Sequence, residues 1–224
     1  MIYLTSDCHG DFTYIKDFVV KNRLTREDTI IILGDSGLYF RHDDYELTLR
    51  ERIAKLPVNF LILHGNKEER VSHFKEYSII PKYNGNVYFN SEYPNLYFAI
   101  DGESYIIENK KILTVGGACS ILAHCSKDGE LYWKDEIPNI KELKNKIKFN
   151  KYDYILTHTS PLNKRPQHIF ANLVDESLLD FSLESYFDEL ENRLTYKKWF
   201  CGHYHINFDS EKFQIIYKEF VKLQ

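Results

Sequence analysis

Five short blocks of metal-type ligands constrain this chain more than any other feature of its sequence. They read Asp7-Cys8-His9-Gly10, Gly34-Asp35, Gly65-Asn66, Thr157-His158 and Gly202-His203-Tyr204-His205. Four follow directly on an apolar, strand-like run, and the last follows Lys198-Trp199-Phe200-Cys201. Carboxylate, carboxamide and imidazole groups delivered at strand ends are the donor set of a divalent metal centre. The reading they impose is a two-metal hydrolytic site assembled from distant parts of the chain.

Between the blocks the chain alternates strands and helices. Ile2 to Thr5 reads as a buried strand, after which Asp11 is placed to cap a helix with Phe12, Ile15 and Val19 on one face. Thr29 to Leu33, with three consecutive isoleucines, suits a strand covered on both faces. Tyr45, Leu49, Ile53 and Leu56 recur at helical spacing, Pro57 stops that helix, and Val58 to Leu63 is the third strand. This β-α-β-α-β order predicts an α/β layered fold. A turn at Asn84-Gly85-Asn86 precedes a strand at Val87 to Phe89. Leu96 to Ile100, Ser104 to Ile107 and Lys111 to Val115 then read as a strand meander, with a second, partly antiparallel sheet following. Residues 119–137 lack periodicity and are expected to form an irregular loop near the active face, and a lysine-rich helix runs from Pro138 to about Asn150. Tyr154 to Leu156 is a further strand. Leu179, Leu183, Tyr186, Phe187, Leu190 and Leu194 make one apolar helical stripe of the core-packing kind, and Ile206 to Phe208 and Phe213 to Tyr217 finish the second sheet. With no repeat or linker, residues 1–224 are expected to form a single domain.

Bulk properties narrow the function class. A hydrophobic content of 43% with 28% charged residues is that of a globular protein, and a net charge of −4 gives no general attraction to nucleic acid or acidic membranes. The lysines at 141, 144, 146, 148 and 151 read as a solvated helix face rather than a nucleic-acid stripe. Four cysteines without a CxxC pair are expected to be reduced thiols, Cys8 and Cys201 acting as small filler. No run is long enough to span a bilayer, and no charged segment with a long apolar stretch opens the chain, so a cytoplasmic location is expected.

Two metal ions about 3.5–4 Å apart need a ligand that bridges them. Asp35, behind a glycine and a buried strand, is the best candidate, because a carboxylate has two oxygens to share. Asp7 and His9 alternate along what reads as one extended segment, as do His203 and His205, so that each pair can face one point. Asn66 offers a neutral oxygen where a phosphate must bind, and His158 completes the set.

The series Asp-x-His, Gly-Asp, Gly-Asn, a lone His after a strand and Gly-His-x-His resembles the calcineurin-like metallophosphoesterase superfamily, in the family's order and over nearly the whole chain. Gly116-Gly117-Ala118, Trp133-Lys134-Asp135-Glu136 and Trp199 resemble a group of small bacterial and phage members. The resemblance implies a four-layer α/β/β/α sandwich with two mixed β-sheets. It implies one metal held by Asp7, His9, Asp35 and His205, and a second held by Asp35, Asn66, His158 and His203. The implied cofactors are two divalent ions, Mn²⁺ first, with Fe, Zn²⁺ or Mg²⁺ as alternatives. The implied reaction is in-line attack on phosphorus by a hydroxide bridging the metals, with Asn66 and His203 beside the phosphate.

One position departs from the pattern. The family usually carries a histidine after Gly-Asn, taken to protonate the leaving oxygen, and this chain carries Lys67. Lys67 is either a proton donor or electrostatic stabiliser, or else a surface residue beside a weakened site. Members lacking that histidine often act on diesters, so the expected substrate is a phosphodiester, nucleotide or phosphorylated small molecule. Nucleic acid is less favoured, and no membrane partner is expected. The alternatives are a Ser/Thr-type or small-molecule phosphomonoesterase, and a non-catalytic scaffold of the same fold. Tyr39, Arg41 and His42 are candidates to line the cleft, Lys164 and Arg165 to touch an anionic substrate, and Asp135 and Glu136 to act as outer groups of the metal site.

Overall fold

The computed structural model describes residues 1–121, 123, 125–148, 151–167 and 175–224. The chain opens with β1 (Ile2–Thr5), α1 (Thr13–Asn22), β2 (Thr29–Ile32), α2 (Asp44–Ala54) and β3 (Asn59–Ile62). The antiparallel strands β4 (Ser78–Lys82) and β5 (Gly85–Phe89) follow, then β6 (Leu96–Ala99), β7 (Ser104–Ile107) and β8 (Lys110–Val115). The last part carries α3 (Ile140–Lys146), β9 (Tyr154–Thr157), α4 (Ser182–Arg193), β10 (Lys198–Cys201), β11 (Phe208–Asp209), β12 (Phe213–Ile215) and β13 (Val221–Lys222).

Two mixed sheets result. The first runs β13-β1-β2-β3-β6-β5-β4, parallel from β1 through β6 and antiparallel at both edges. The second runs β11-β12-β10-β9-β8-β7, parallel from β12 through β8. Period-two alternation sorts the buried residues into three layers of packing. On β2, Ile30 and Ile32 face α1 and α2, where they meet Ile15, Val19, Leu49 and Ile53. Ile31 and Leu33 point the other way and meet Tyr105, Ile112, Leu156 and Phe200 of the second sheet. The outer face of that sheet packs Ile155 and Trp199 against Leu143 of α3 and Leu183, Tyr186, Phe187 and Leu190 of α4. The order is therefore helix, sheet, sheet, helix, and each fully buried Ile or Leu contributes roughly 1.5–3 kcal/mol.

Several local expectations need correction. The meander is divided between the sheets: β6 lies parallel to β3 in the first (Leu61 opposite Tyr97), whereas β7 and β8 form the edge of the second. Strand partners are chosen by tertiary packing, which short-range pattern does not encode. β4 was concealed by Pro81, which an edge strand tolerates. The turn joining β4 to β5 is made by Tyr83 and Asn84, both left-handed (φ 54° and 61°), and Gly85 already belongs to β5. The closing two-residue strand β13 returns to the first sheet beside β1. Helix α1 begins one residue later than expected, with Phe12 at its cap position, although Asp11 still accepts the Thr13 N–H at 3.1 Å. In the fourth helix the stripe begins at Leu183, because Leu179 ends a separate 3-10 turn. Helix α3 ends at Lys146, and residues 149–150 of its expected extension lie outside the described residues.

Candidate metal centre

Parallel pairing sets the carboxyl ends of β1, β2 and β3 along one edge of the first sheet, and those of β8, β9 and β10 along one edge of the second. Loops at such ends are where open α/β sheets place their sites. Past the strands the loops keep bonding: Asp7 N–H to Gly34 O at 3.2 Å, His9 N–H to Asp35 O at 2.9 Å, and Gly202 N–H to His158 O at 2.9 Å. A bond from Gly117 N–H to His64 O at 2.8 Å ties the loops of the two sheets together.

The seven expected residues form a closed ring. His205 Nε2 lies 3.6 Å from Asp7 Oδ1 and 2.9 Å from His9 Nε2. His9 Nε2 is 3.8 Å from Asp35 Oδ2, and Asp35 Oδ1 is 3.6 Å from His158 Nε2. Asn66 Oδ1 stands 3.0 Å from His158 Nε2 and 3.1 Å from His203 Nδ1. The backbone N–H of His203 returns to Asp7 Oδ2 at 2.9 Å. Asp7, Asp35, Asn66 and His158 are buried and form the floor, whereas His9 and His205 stand half-open at the mouth.

The backbone that presents these groups is not the extended chain expected. Asp7, His9, Asp35, His203 and His205 all have left-handed φ angles, between 47° and 70°. Each such non-glycine residue costs about 1–3 kcal/mol, strain that concentrates at functional sites. The neighbouring glycines make room. A Cβ on Gly34, itself at φ +95°, would lie 2.3 Å from His158 Nδ1, and one on Gly65 would lie 2.0 Å from Asp35 Oδ1. Any side chain there would displace a ring member from another block.

The donor set fits divalent cations. His158 Nδ1 lies 2.7 Å from the Leu33 carbonyl, so it must carry a hydrogen. With Nδ1 engaged there, Nε2 faces two acceptors, Asn66 Oδ1 at 3.0 Å and Asp35 Oδ1 at 3.6 Å, and donor atoms converging on one point in this way suit a cation. Asp7 Oδ1 is buried without a hydrogen-bond partner. Asp7, His9 and His205 could hold one ion, and Asp7, Asp35 and His158 offer a second close set of ligand atoms. Burial lowers the pKa of His9, and burial next to His158 pushes His203 down to about 3, favouring the neutral, ligating form of both. The Asp7 carboxylate, 3.6 Å from its Nε2, raises that of His205.

A second set of groups holds the ring in place. Ser120 Oγ accepts from Asn66 Nδ2 at 2.8 Å and from Lys67 Nζ at 3.2 Å, and donates to the Asn66 carbonyl at 3.3 Å. Glu136, buried, accepts the Ser120 N–H at 2.6 Å, so it acts on the ring at one remove, as expected for an outer group. Asp135 instead pairs with Arg70 at 3.3 Å and His73 at 3.1 Å. Glu68 ties two loops together, accepting from Ser36 Oγ at 2.5 Å, Gly37 N–H at 3.2 Å and Gly65 N–H at 3.1 Å. Burial, then the Asp35 charge, pushes its carboxyl up to about 7. Sequence reading missed Ser120 and Glu68. Glu68 stood two residues past Asn66, where a carboxylate beside a ligand block was the available signal, whereas Ser120 sits in an aperiodic loop with none.

Lys67 is not a surface lysine. It is half-buried, its N–H donates to Asp35 Oδ1 at 2.8 Å, its Nζ donates to the Leu131 carbonyl at 2.9 Å, and burial lowers its pKa. Other expected cleft residues are engaged elsewhere: Tyr39 bonds Tyr77 in the core, His42 lies 3.2 Å from Glu69, Arg165 pairs with Glu176 at 3.0 Å and Lys164 with Glu191 at 3.2 Å. Arg41 does line the cavity beside the site.

No curated protein matches the chain. Among solved structures it is similar to a protein of unknown function, AQ665, from Aquifex aeolicus, at 19% identity over 71% of this chain and 80% of that one, with a TM-score of 0.35. The family model for calcineurin-like phosphoesterase matches residues 1–207, a span that contains every member of the ring. The chain therefore belongs to the calcineurin-like phosphoesterases, metal-dependent hydrolases of phosphoester bonds.

Proposed function

We propose that the protein hydrolyses a phosphodiester or nucleotide-type ester at a pair of divalent ions, with Mn²⁺ the first candidate. The observation that carries this reading is the division of the Asp35 carboxylate, Oδ2 toward His9 and Oδ1 toward His158, as a bridging ligand requires. Asp7, His9 and His205 would complete one ion's shell, and Asn66, His158 and His203 the other's. When bound, the ions supply an activated water and neutralise the phosphoryl oxygens.

The protein's own groups do the rest. The buried floor fixes the geometry and excludes bulk water. Asn66, a neutral ligand, adds no negative charge where the phosphate sits. His203, 3.1 Å from Asn66 Oδ1, would touch a phosphoryl oxygen. Lys67 stands at the mouth with its positive charge held by Ser120 and Leu131, and stabilises the leaving oxygen electrostatically. A lysine in place of the histidine that the family usually carries is what favours a diester, since members lacking that histidine often act on diesters. Metal content by mass spectrometry, with turnover of bis-p-nitrophenyl phosphate and p-nitrophenyl phosphate in Mn²⁺, tests the reading. About two ions per chain and faster diester cleavage are expected. Absence of stoichiometric metal and of turnover would establish the scaffold alternative, and faster monoester cleavage the phosphomonoesterase one.

A further inference from the structure

A trough of about 1070 Å³ opens beside the ring, with His9 and Lys67 at one end and helix α2 along its length. Its size reaches past the roughly 300–1,000 Å³ usual for ligand pockets, so it can hold much more than a phosphate ester's reacting centre. Tyr45, Leu49, Arg52 and Ile53 of α2, and Leu56 just past its end, line it. Their spacing of four, three, one and three residues keeps them on one face of that helix and its C-terminal continuation, over roughly three turns or about 16 Å. Phe12, at the start of α1, and Phe40 add aromatic surface.

Around this apolar floor the charge is one-sided. Lys16, Arg41, Arg52 and Lys55 line the trough and are exposed, and among the described residues none of them has an ion-pair partner. The two acids in the lining are already engaged. Glu46 is buried and accepts the N–H groups of Phe40, Arg41 and His42 at 2.7, 2.6 and 2.9 Å, while Asp11 pairs with Lys218 at 3.2 Å. A chain of net charge −4 thus gathers uncompensated cations along one apolar trough leading to its metal ligands.

We infer that this trough binds the remainder of the substrate as a nucleoside oligophosphate: a flat aromatic base on the apolar floor and a chain of phosphates along the cationic rim. Aromatic and aliphatic surface recognises the face of a base without reading its identity, and lysine and arginine neutralise phosphate oxygens. The trough runs about 16 Å along α2 and its continuation, the length of a nucleoside with a few phosphates rather than of a polymer. This inference rests on the phosphoesterase reading for its direction, since the trough starts at the reacting end, but it is testable apart from catalysis.

The test is calorimetric binding of adenosine 5′-(β,γ-imido)triphosphate to the Mn²⁺-loaded protein, compared with adenosine and with a single-stranded dodecanucleotide. Binding of the imidotriphosphate well above that of adenosine is expected. The double variant Arg52→Ala/Lys55→Ala, two exposed residues at the end of α2 that are not members of the ring, should weaken it about tenfold or more. The same variant should leave turnover of bis-p-nitrophenyl phosphate within about twofold of the parent, since small substrates do not reach the rim. No binding of the imidotriphosphate, or equal binding by the variant, overturns the proposal. Tighter, steeply salt-dependent binding of the dodecanucleotide overturns it in favour of a polymer. Loss of bis-p-nitrophenyl phosphate turnover in the parent with imidotriphosphate binding intact would instead remove the hydrolytic reading and leave the trough standing.

Discussion

Ser120 decides which end of the Asn66 amide faces the imidazoles. Its Oγ accepts from Asn66 Nδ2 at 2.8 Å, so Oδ1 is the end left between His158 and His203. A hydroxyl has two acceptor sites and one hydrogen, and here Asn66, Lys67 and the Asn66 carbonyl use all three. Removing the hydroxyl frees both the amide and the lysine. Ser120→Ala is therefore expected to lower Mn²⁺ affinity or turnover by about 10–100-fold with the fold retained. A Mn²⁺ activation curve checks this, and parental affinity and rate in the variant would refute the positioning role.

Asp35 serves both halves of the ring, with Oδ2 3.8 Å from His9 Nε2 and Oδ1 3.6 Å from His158 Nε2. Asp35→Asn keeps the shape but removes the charge that holds two cations together. Turnover should fall by at least about 10²-fold, with metal content dropping below two ions per chain. Gly65→Ala, which drives a methyl into Asp35 Oδ1, should reproduce much of that loss at a stability cost of about 1–3 kcal/mol. Full activity in either variant, measured on bis-p-nitrophenyl phosphate, would rule out the bridge.

Lys67 tests what its position does for the leaving oxygen. Lys67→Met preserves length and removes charge, and kcat on a diester should fall about 10²-fold with little change in metal content. Lys67→His restores the residue the family usually has, but it gives up the tether to the Leu131 carbonyl, and it should shift preference toward monoesters. An unchanged ratio of diester to monoester turnover in that variant would show that position 67 does not set specificity.

Glu184 provides a pH signature away from the metal ligands. Its side chain is buried on α4, accepts from Thr159 Oγ1 at 3.0 Å, and burial pushes its carboxyl up to about 7. A folded pKa above the unfolded value of 4.5 means that the native state holds the proton longer. The stabilising contribution is complete below pH 4.5 and is lost as pH rises toward about 7. Glu184→Gln, neutral throughout, should flatten this decline in metal-free thermal melts and make the protein more stable than its parent at pH 8. The same slope in variant and parent would show that Glu184 does not bind the extra proton.

Trp199, fully buried, couples the second sheet to the ring: its Nε1 donates to Thr157 Oγ1 at 2.8 Å, one residue before His158. Trp199→Phe should destabilise by about 1–3 kcal/mol in urea, from lost ring volume and one lost hydrogen bond. A change below about 0.5 kcal/mol would show that the neighbouring Phe187 and Tyr196 refill the space.

Much of this protein was legible in its sequence because the decisive signals are local. A run such as Ile30-Ile31-Ile32 must be covered on both sides wherever it lies, and the spacing of Leu183, Tyr186, Phe187 and Leu190 specifies a helix face by itself. The five ligand blocks were visible because each sits at the end of its own strand. What tertiary structure alone decided is non-local. Hydrogen-bond partners between strands are chosen by packing across the whole sheet, so β6 left its meander for β3, and the two-residue β13 found β1. The left-handed backbone of Asp7, His9, Asp35, His203 and His205 is strain that the loops around them sustain; Asp and His enter that region more readily than most residues, but their identity does not say where they do so. Periodicity reports that Tyr45, Leu49, Ile53 and Leu56 share a face but not what that face meets. Only the packing of α2 against the rest of the chain determined that the stripe lines a trough as well as a core, because spacing fixes direction around a helix while its surroundings depend on every other element.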